Sequence, residues 1–442
     1  MEHNSTDFIA IGVGPFNLGL ACLTAPIKDL NGIFLDKREK FDWHPGMMLQ
    51  NTTLQIPFMA DLVTLADPTS PFSFLNFSKE SGRIYSFYIR ENFLLLRNEY
   101  NKYCQWAIEK LPNIYFNTEV KNIHFNEEEK RYIVSCICTK TKEVKIYKTK
   151  KIILGTGTVP YVPASANHIK TQAVHSSAYL YHKEELQNKK SITIVGSGQS
   201  AAEIFYDLLQ DIDTKNYELN WITRSPRFFP LEYSKLTLEM TSPEYVDYFY
   251  NLPPEKRDEL IKNQKHLYKG VNQNLINDIH ELLYTKQSYA KEPLKVSLRT
   301  NTELINSSSN THEITLNLHQ VEEDKYFNKT TEGVVLCTGY HYKMPAFIEE
   351  VSDRIIWDYK GRYDVQRNYT IDKNRNEIFV QNVELHTHGF VTPDLGMACY
   401  RNSYIIKELT GKEYYPIEKS IAFQQFGVCE DEEVLQRSKV VG

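Results

Sequence analysis

Two short apolar runs, each closed by a glycine turn and followed by a stretch of helical periodicity, set the frame of this chain. Phe8–Val13 leads into Gly12-Val-Gly14-Pro-Phe-Asn17-Leu-Gly19, and Ile192–Val195 leads into Gly196-Ser-Gly198-Gln199-Ser200-Ala-Ala. Unbroken apolar runs bounded by turn residues predict buried strands of a parallel sheet. Each is followed by a second short run, Gly32–Asp36 and Leu219–Thr223, and by a returning strand, Lys145–Gly157 and Gly333–Cys337. The returning strands end alike, in Gly155-Thr-Gly157 and Thr338-Gly339-Tyr340, and mark the crossings between two units. Arg131–Thr139 alternates like a strand, Lys295–Leu298 and Glu313–Gln320 add two more, and Asn306–Asn310 reads as a surface loop.

Residues 234–292 change period. Pro253-Pro254 opens a stretch whose apolar positions, from Leu260 through Ile276 and Ile279 to Leu283, repeat as on a helix. Glu377–Val383 then predicts a last strand and His386–Leu409 a last helix. The fold class is therefore α/β, with two Rossmann-like dinucleotide-binding domains and a small helical substrate-binding insert. Residues 1–188 and 341–442 form the first domain, 189–233 and 293–340 the second, and 234–292 the insert.

The turns carry the chemistry. In each fingerprint the first glycine permits the turn and the second lets the backbone approach a pyrophosphate. The helix N-terminus then offers free N–H groups and positive potential. One such motif is a weak signal; two in one chain point to two dinucleotides that exchange electrons. Asp36 ends its strand about twenty residues beyond the first turn, where a carboxylate accepts from a ribose 2′-hydroxyl and repels a 2′-phosphate. The first site thus takes FAD or NAD. Arg224, beside Ser225 and Arg227, ends the matching strand of the second unit. A cation there suits the 2′-phosphate of NADPH; the competing reading is a charge capping a sheet edge.

Composition narrows the class. A chain of 442 residues with 41% hydrophobic and 24% charged residues has the make-up of a soluble protein of two or three domains. A formal net charge of −5 gives no basis for a nucleic-acid or anionic-membrane partner. No run approaches the roughly eighteen apolar residues of a membrane span. The polar Met1–Asp7 leads straight into a strand with no secretory signal, so a cytoplasmic location is expected. Seven scattered cysteines argue for reduced thiols. Cys136 and Cys138 share a strand face but lack further ligands nearby, and no metal is expected.

A third set of residues is more specific: Phe41-Asp-Trp43-His44-Pro-Gly46-Met47, Leu54-Gln55, Asp61-Leu-Val63, Arg97-Asn-Glu-Tyr100 and Arg401-Asn-Ser403. Through these the chain resembles, over nearly its whole length, the siderophore-biosynthetic N-hydroxylating flavin monooxygenases that act on lysine, ornithine or diamines. The resemblance implies FAD in the first site and NADPH in the second. NADPH reduces the flavin, oxygen adds at C4a, and the hydroperoxide passes one oxygen atom to a neutral primary amine. The cofactor then carries the difficult step, which explains the lack of any nucleophile–base constellation. By the same resemblance Gly12, Gly14, Asn17, Asp36 and Arg97 belong to the flavin side. So do Gly389 and Leu395, late in the chain. Gly196, Gly198, Gln199, Ser200 and Arg224 belong to NADPH. Met47 and Gln55 match segments lining the isoalloxazine, and Gln55 and Asn272 are the catalytic candidates. Trp43 and His44 match residues packed beside the ring; ordinary core packing and a structural histidine are the alternatives.

The substrate positions depart from the amino-acid branch. Its carboxylate-pairing lysine falls on Ala60, its asparagine on Leu238 and its serine on Gly396, while Asn272 is retained. Thr241 stands where the diamine branch has phenylalanine. An α-carboxylate buried without its cation costs several kcal/mol. The expected substrate is therefore a small primary amine without that group, putrescine or cadaverine, with histamine fitting the same logic. Asp394 either faces a distal cation or is a helix N-terminal acid. The expected partners are this amine and molecular oxygen, with no nucleic acid and no membrane; a homo-oligomer is compatible with the sequence. The alternatives are a lysine or ornithine N-monooxygenase and another S-oxygenating or Baeyer–Villiger flavoprotein, which should carry a longer Phe-x-Gly-type motif not found here. A flavin disulfide reductase would need a redox cysteine pair.

Overall fold

Ser5–Ile11 is buried almost throughout and lies inside a seven-stranded sheet, parallel to Gly32–Leu35 on one side and to Val144–Leu154 on the other. The computed structural model describes residues 5–429 and 431–433. Val144–Leu154 is long enough to serve two partners on one edge in succession. Its second half pairs in parallel with Ile378–Val380, and its first half pairs antiparallel with Arg131–Cys138, which continues to Thr118–Asn126. Ile114–Tyr115 closes the far edge beside Gly32–Leu35. The two helices that flank the first turn's neighbourhood, Pro15–Thr24 and Ala398–Thr410, pack on each other against this sheet.

The second sheet is wholly parallel, in the order Val174–His175, Gly333–Leu336, Ser191–Val195, Glu218–Ile222, Val296–Arg299. Its first strand precedes residue 189. The two crossings meet in a two-stranded ribbon, Val159–Pro160 with Tyr340–His341. Thr302–Ser309, Ile314–Gln320 and Lys325–Thr331 form a separate antiparallel sheet.

Three sequence expectations need correction. Asn306–Ser309 is strand, not loop; its polar composition hides an alternation in which Ser307 is buried and donates to the Ser165 carbonyl at 2.7 Å. The stretch from Pro253 to Leu283 is not one helix but two, Pro254–Asn263 and Gln273–Tyr289. Between them Val271 bridges to Pro230, and a Cβ on Gly270 would lie 2.6 Å from the Leu231 nitrogen. Residues 386–409 are likewise split. Leu385–His388 ends at Gly389, whose φ of 76° breaks the helix, and Ala398–Thr410 starts afresh. Residues 234–292 consequently pack in two parts. Gln273–Tyr289 lies on Gln199–Lys215 and shares the second core through Val271 and Ile279. Tyr245 and Phe249 instead cluster with Phe390 of the first unit.

Candidate functional site

Both glycine turns are built alike. Gly12 has φ +89°, and a Cβ there would stand 2.4 Å from the Gly155 carbonyl oxygen; Gly196 has φ +145° and the corresponding distance to the Cys337 oxygen is 2.2 Å. These glycines are demanded by conformation and by contact together. Gly14 and Gly198 behave differently. A Cβ on either meets nothing within 4 Å. Each is the N-cap of its helix with no side chain supplying a cap, so the first N–H groups of Pro15–Thr24 and Gln199–Lys215 face open cradles.

The side chains around the first turn point partly inward. Asn17 is buried, donates to the Gly12 carbonyl at 2.7 Å and accepts from Gln381 at 2.6 Å, so it shapes the turn from beneath. Gln381 Oε1 and Asn402 Oδ1 remain buried without partners on this side of the fold. Orphan acceptors and an open cradle fit a ligand that brings phosphates and donors of its own. Asp36 is already saturated. One oxygen accepts from Val13 N at 2.8 Å and Arg38 Nη2 at 2.7 Å, the other from Arg38 N and Nε at 2.8 and 3.0 Å. A ribose hydroxyl would have to share that carboxylate with Arg38.

The tryptophan–histidine segment joins the two units. Trp43 packs edge-on to Tyr100 and His44, with ring centroids 5.2 and 5.0 Å away. His44 holds φ 51° and caps the short turn Pro45–Met47. A Cβ on Gly46 would lie 2.0 Å from the Ser177 oxygen, so glycine there lets the segment abut Ser176–Ala178. The Met47 side chain is buried in the second unit's core with Ala201 and Phe205. It is the Met47 carbonyl that is engaged, accepting from Arg97 at 2.9 Å.

His44 keeps an exposed surface, yet most of its surroundings are protein. That desolvation, with Arg97 and Arg38 nearby, pushes its pKa down to about 4. Folding thus favours the neutral imidazole, and protonation opposes the fold as pH falls from the usual 6.5 toward 4. The melting temperature of the protein should fall over that window, and His44→Asn, which tolerates the same left-handed backbone, should fall less steeply. Parallel pH profiles by scanning fluorimetry would remove His44 from the account.

Five of the predicted residues meet in one hydrogen-bonded chain. Arg97 spans the Met47 carbonyl and Glu203, with Nη1 and Nη2 at 3.0 and 2.7 Å from the two carboxylate oxygens. Gln199 donates to Glu203 at 2.9 Å and accepts from the Asn272 backbone N–H at 2.8 Å. Asn272 Nδ2 donates to Gln55 Oε1 at 2.8 Å, while its Oδ1 caps helix Gln273–Tyr289 through Leu275 N. Glu203, absent from the sequence-based set, is the junction.

The remaining candidates lie on other elements. Ser200 follows Gln199 in the helix, partly exposed. Arg224 is exposed, with no ion pair among the described residues. Lys269 sits close to it: burial, then Lys265 and Arg224, hold its pKa below the usual lysine value. Both lysines escaped the sequence reading; two lysines four apart just before Asn272 were the available signal. Leu238 and Thr241 lie together, with Thr241 Oγ1 donating to the Leu238 carbonyl at 2.7 Å, next to Gly389–Val391. Gly389 itself packs on Phe249. Ala60 is buried, and Leu395 packs with Trp43 against the first core. Asp394 accepts from Gly396 N at 2.8 Å; burial pushes its carboxyl up, with Arg401 opposing. The later chain returns over this region. Glu239 accepts from Phe423 and Gln424 N–H at 3.1 and 3.0 Å, and Glu244 from Ile421 and Ala422 at 2.6 and 3.0 Å.

Two open glycine cradles, with one polar chain running from the second of them to Arg97 and Met47 of the first unit, define a protein with the architecture of a two-dinucleotide oxidoreductase. Residues 4–342 match the family described as L-lysine 6-monooxygenase/L-ornithine 5-monooxygenase, and the chain belongs to that family. A putrescine N-hydroxylase of Shewanella oneidensis is 51% identical over 97% of this chain and 86% of its own. A putrescine N-hydroxylase of Acinetobacter baumannii is 45% identical over 96% of this chain and 94% of its own. The FAD-bound crystal structure of a cadaverine monooxygenase of desferrioxamine biosynthesis from Erwinia amylovora matches with a TM-score of 0.94 and 57% identity, covering 96% of this chain and 99% of that one. Among the described residues no helix is long and apolar enough to cross a membrane.

Proposed function

We propose that this chain is an FAD- and NADPH-dependent N-hydroxylase of a small primary amine without an α-carboxylate, a diamine of the putrescine or cadaverine type, giving an N-hydroxyamine for hydroxamate siderophores. The carrying observation is the absence of the amino-acid clamp at Ala60, Leu238 and Gly396 in a chain so similar to enzymes named for putrescine and cadaverine. Bound flavin, reduced by NADPH, supplies activated oxygen. The chain's own work is to hold both dinucleotides over the two turns, keep the amine neutral at its reacting end and balance any charge at the other. A distal-ammonium role for Asp394 is supported by the desolvation of its carboxyl, with Arg401 the one cation acting on it among the described residues.

The first turn takes FAD and the second NADPH, with residues 1–188 and 341–442 serving the flavin and 189–233 and 293–340 the nicotinamide. The strands of the two sheets support this division, apart from Val174–His175. Seven cysteines without disulfides among the described residues support a cytoplasmic setting. The exposed Tyr85, Tyr88, Ile89 and Phe93 support a homo-oligomer.

The deciding experiment is a panel of putrescine, cadaverine, histamine, ornithine and lysine, scored by hydroxylamine formed rather than NADPH consumed. Hydroxylamine from none of them sinks the proposal. Coenzyme choice is tested separately. Arg224→Ala should raise the NADPH KM tenfold to a hundredfold, as expected for a charged phosphate contact of roughly 1.5–3 kcal/mol, and leave NADH nearly unchanged. Equal weakening of both coenzymes would return Arg224 to a sheet-edge role.

A further inference from the structure

Glu203 has a side chain only 3% exposed and lies one turn into the helix that starts at the second glycine cradle. A carboxylate accepts hydrogen bonds and donates none. That property sets a direction along the chain of side chains described above. Because Glu203 can only accept, Gln199 must turn its Nε2 toward it, at 2.9 Å, leaving Gln199 Oε1 to receive the Asn272 N–H at 2.8 Å. Asn272 is thereby seated as the N-cap of its helix. With its Oδ1 committed to Leu275 N, it presents Nδ2 to Gln55 Oε1. Gln55 is then left with Nε2 as its open end, engaged only by the Thr53 carbonyl at 3.4 Å. On its other side Glu203 fixes Arg97, which also grips the Met47 carbonyl.

We propose that Glu203 is a positioning residue whose negative charge couples the second glycine cradle to the Gln55–Asn272 pair by seating Asn272, whose capping amide in turn fixes which end of Gln55 faces the site. The proposal rests on the two-dinucleotide reading of the cradles, and its catalytic arm rests also on amine hydroxylation. An apolar contact would hold the two units together equally well. Glu203, which never donates, and the Asn272 N–H, which never accepts, together impose one amide orientation on Gln199, and only a carboxylate at 203 also neutralises Arg97, 13% exposed. The separation of 106 residues between Arg97 and Glu203 makes this a contact between the two units rather than a local brace.

The test uses the flavin-loaded full chain and two variants. Glu203→Gln keeps shape and loses charge. The double variant Arg97→Met with Glu203→Leu removes both charges and keeps the packing, so it answers even where the single variant folds poorly. Three readouts are taken: NADP⁺ affinity of the oxidised enzyme by calorimetry, melting temperature, and the share of oxygen consumed that appears as hydroxylamine rather than peroxide. Flavin content per chain is recorded for each, and at equal flavin loading both variants should lose at least tenfold in NADP⁺ affinity. The hydroxylamine share should fall at least fivefold with the better diamine. A double variant that matches the parent in NADP⁺ affinity and product share overturns the proposal, whatever its melting temperature, since Glu203 would then be a brace. Should the parent make no hydroxylamine from any amine, the substrate reading fails alone, and the NADP⁺ arm still decides on Glu203.

Discussion

Ornithine and lysine should be turned over with a kcat/KM more than a hundredfold below that of putrescine or cadaverine. The reason is an unpaired charge. Ala60 is buried and carries no cation, Leu238 is apolar, and Gly396 offers no hydroxyl. In the pocket proposed from these positions an α-carboxylate would lose water without gaining a counter-ion, at a cost above about 3 kcal/mol. Gly396 also shows why the serine of the amino-acid branch is not simply tolerated here. A Cβ at that position would stand 3.2 Å from Asp394 Oδ1, the oxygen that accepts the Gly396 N–H. A side chain there would require Asp394 to give by a few tenths of an ångström.

The proposed pocket also predicts how the preference reverses. Asp394→Asn should weaken a diamine more than a monoamine of equal length, because only the diamine brings a second ammonium. Ala60→Lys should repel the distal ammonium and begin to admit ornithine. An unaltered enzyme that hydroxylates ornithine or lysine as well as any decarboxylated amine would show that the carboxylate finds another cation, and this account of the pocket would be wrong.

What the sequence made legible follows a physical divide. Local, repeating demands were readable: the positive φ of Gly12 and Gly196 and the buried runs ahead of them were visible as pattern. The returning strands were readable for the same reason. Demands set by side-chain partners were not. Asp36 was read as a ribose acceptor, but Arg38 folds back over both its oxygens, and no spacing rule announces that an arginine two residues on will claim the carboxylate. Met47 was placed beside the flavin, whereas its side chain fills the second unit's core and its carbonyl meets Arg97. Glu203 carried no signal in the sequence, and its place as a junction appears only when Arg97 and Gln199 are seen together. The polar strand Thr302–Ser309 was missed because its partners, not its own hydrophobicity, hold it in a sheet.

The four turn glycines yield the sharpest separation of folding from binding. Gly14 and Gly198 have φ near −90°, which any residue adopts, and a side chain there enters open space. Gly14→Val and Gly198→Val should therefore fold, the first losing FAD and the second keeping FAD while its NADP⁺ affinity drops a hundredfold or more. Filling a cradle displaces a phosphate from several N–H donors at once, and each charge-assisted bond is worth roughly 1.5–3 kcal/mol. Gly12→Ala and Gly196→Ala should fail differently, through the fold. They force a Cβ into a carbonyl oxygen at 2.4 and 2.2 Å and a left-handed backbone onto alanine, which alone costs about 1–2 kcal/mol. The measurements are flavin content per chain, NADP⁺ calorimetry and melting of each variant, with flavin-free proteins compared against flavin-free parent. A Gly198→Val protein that binds NADP⁺ like the parent would mean that the second cradle holds no phosphate. The pairing of two dinucleotides in this chain would fall with it.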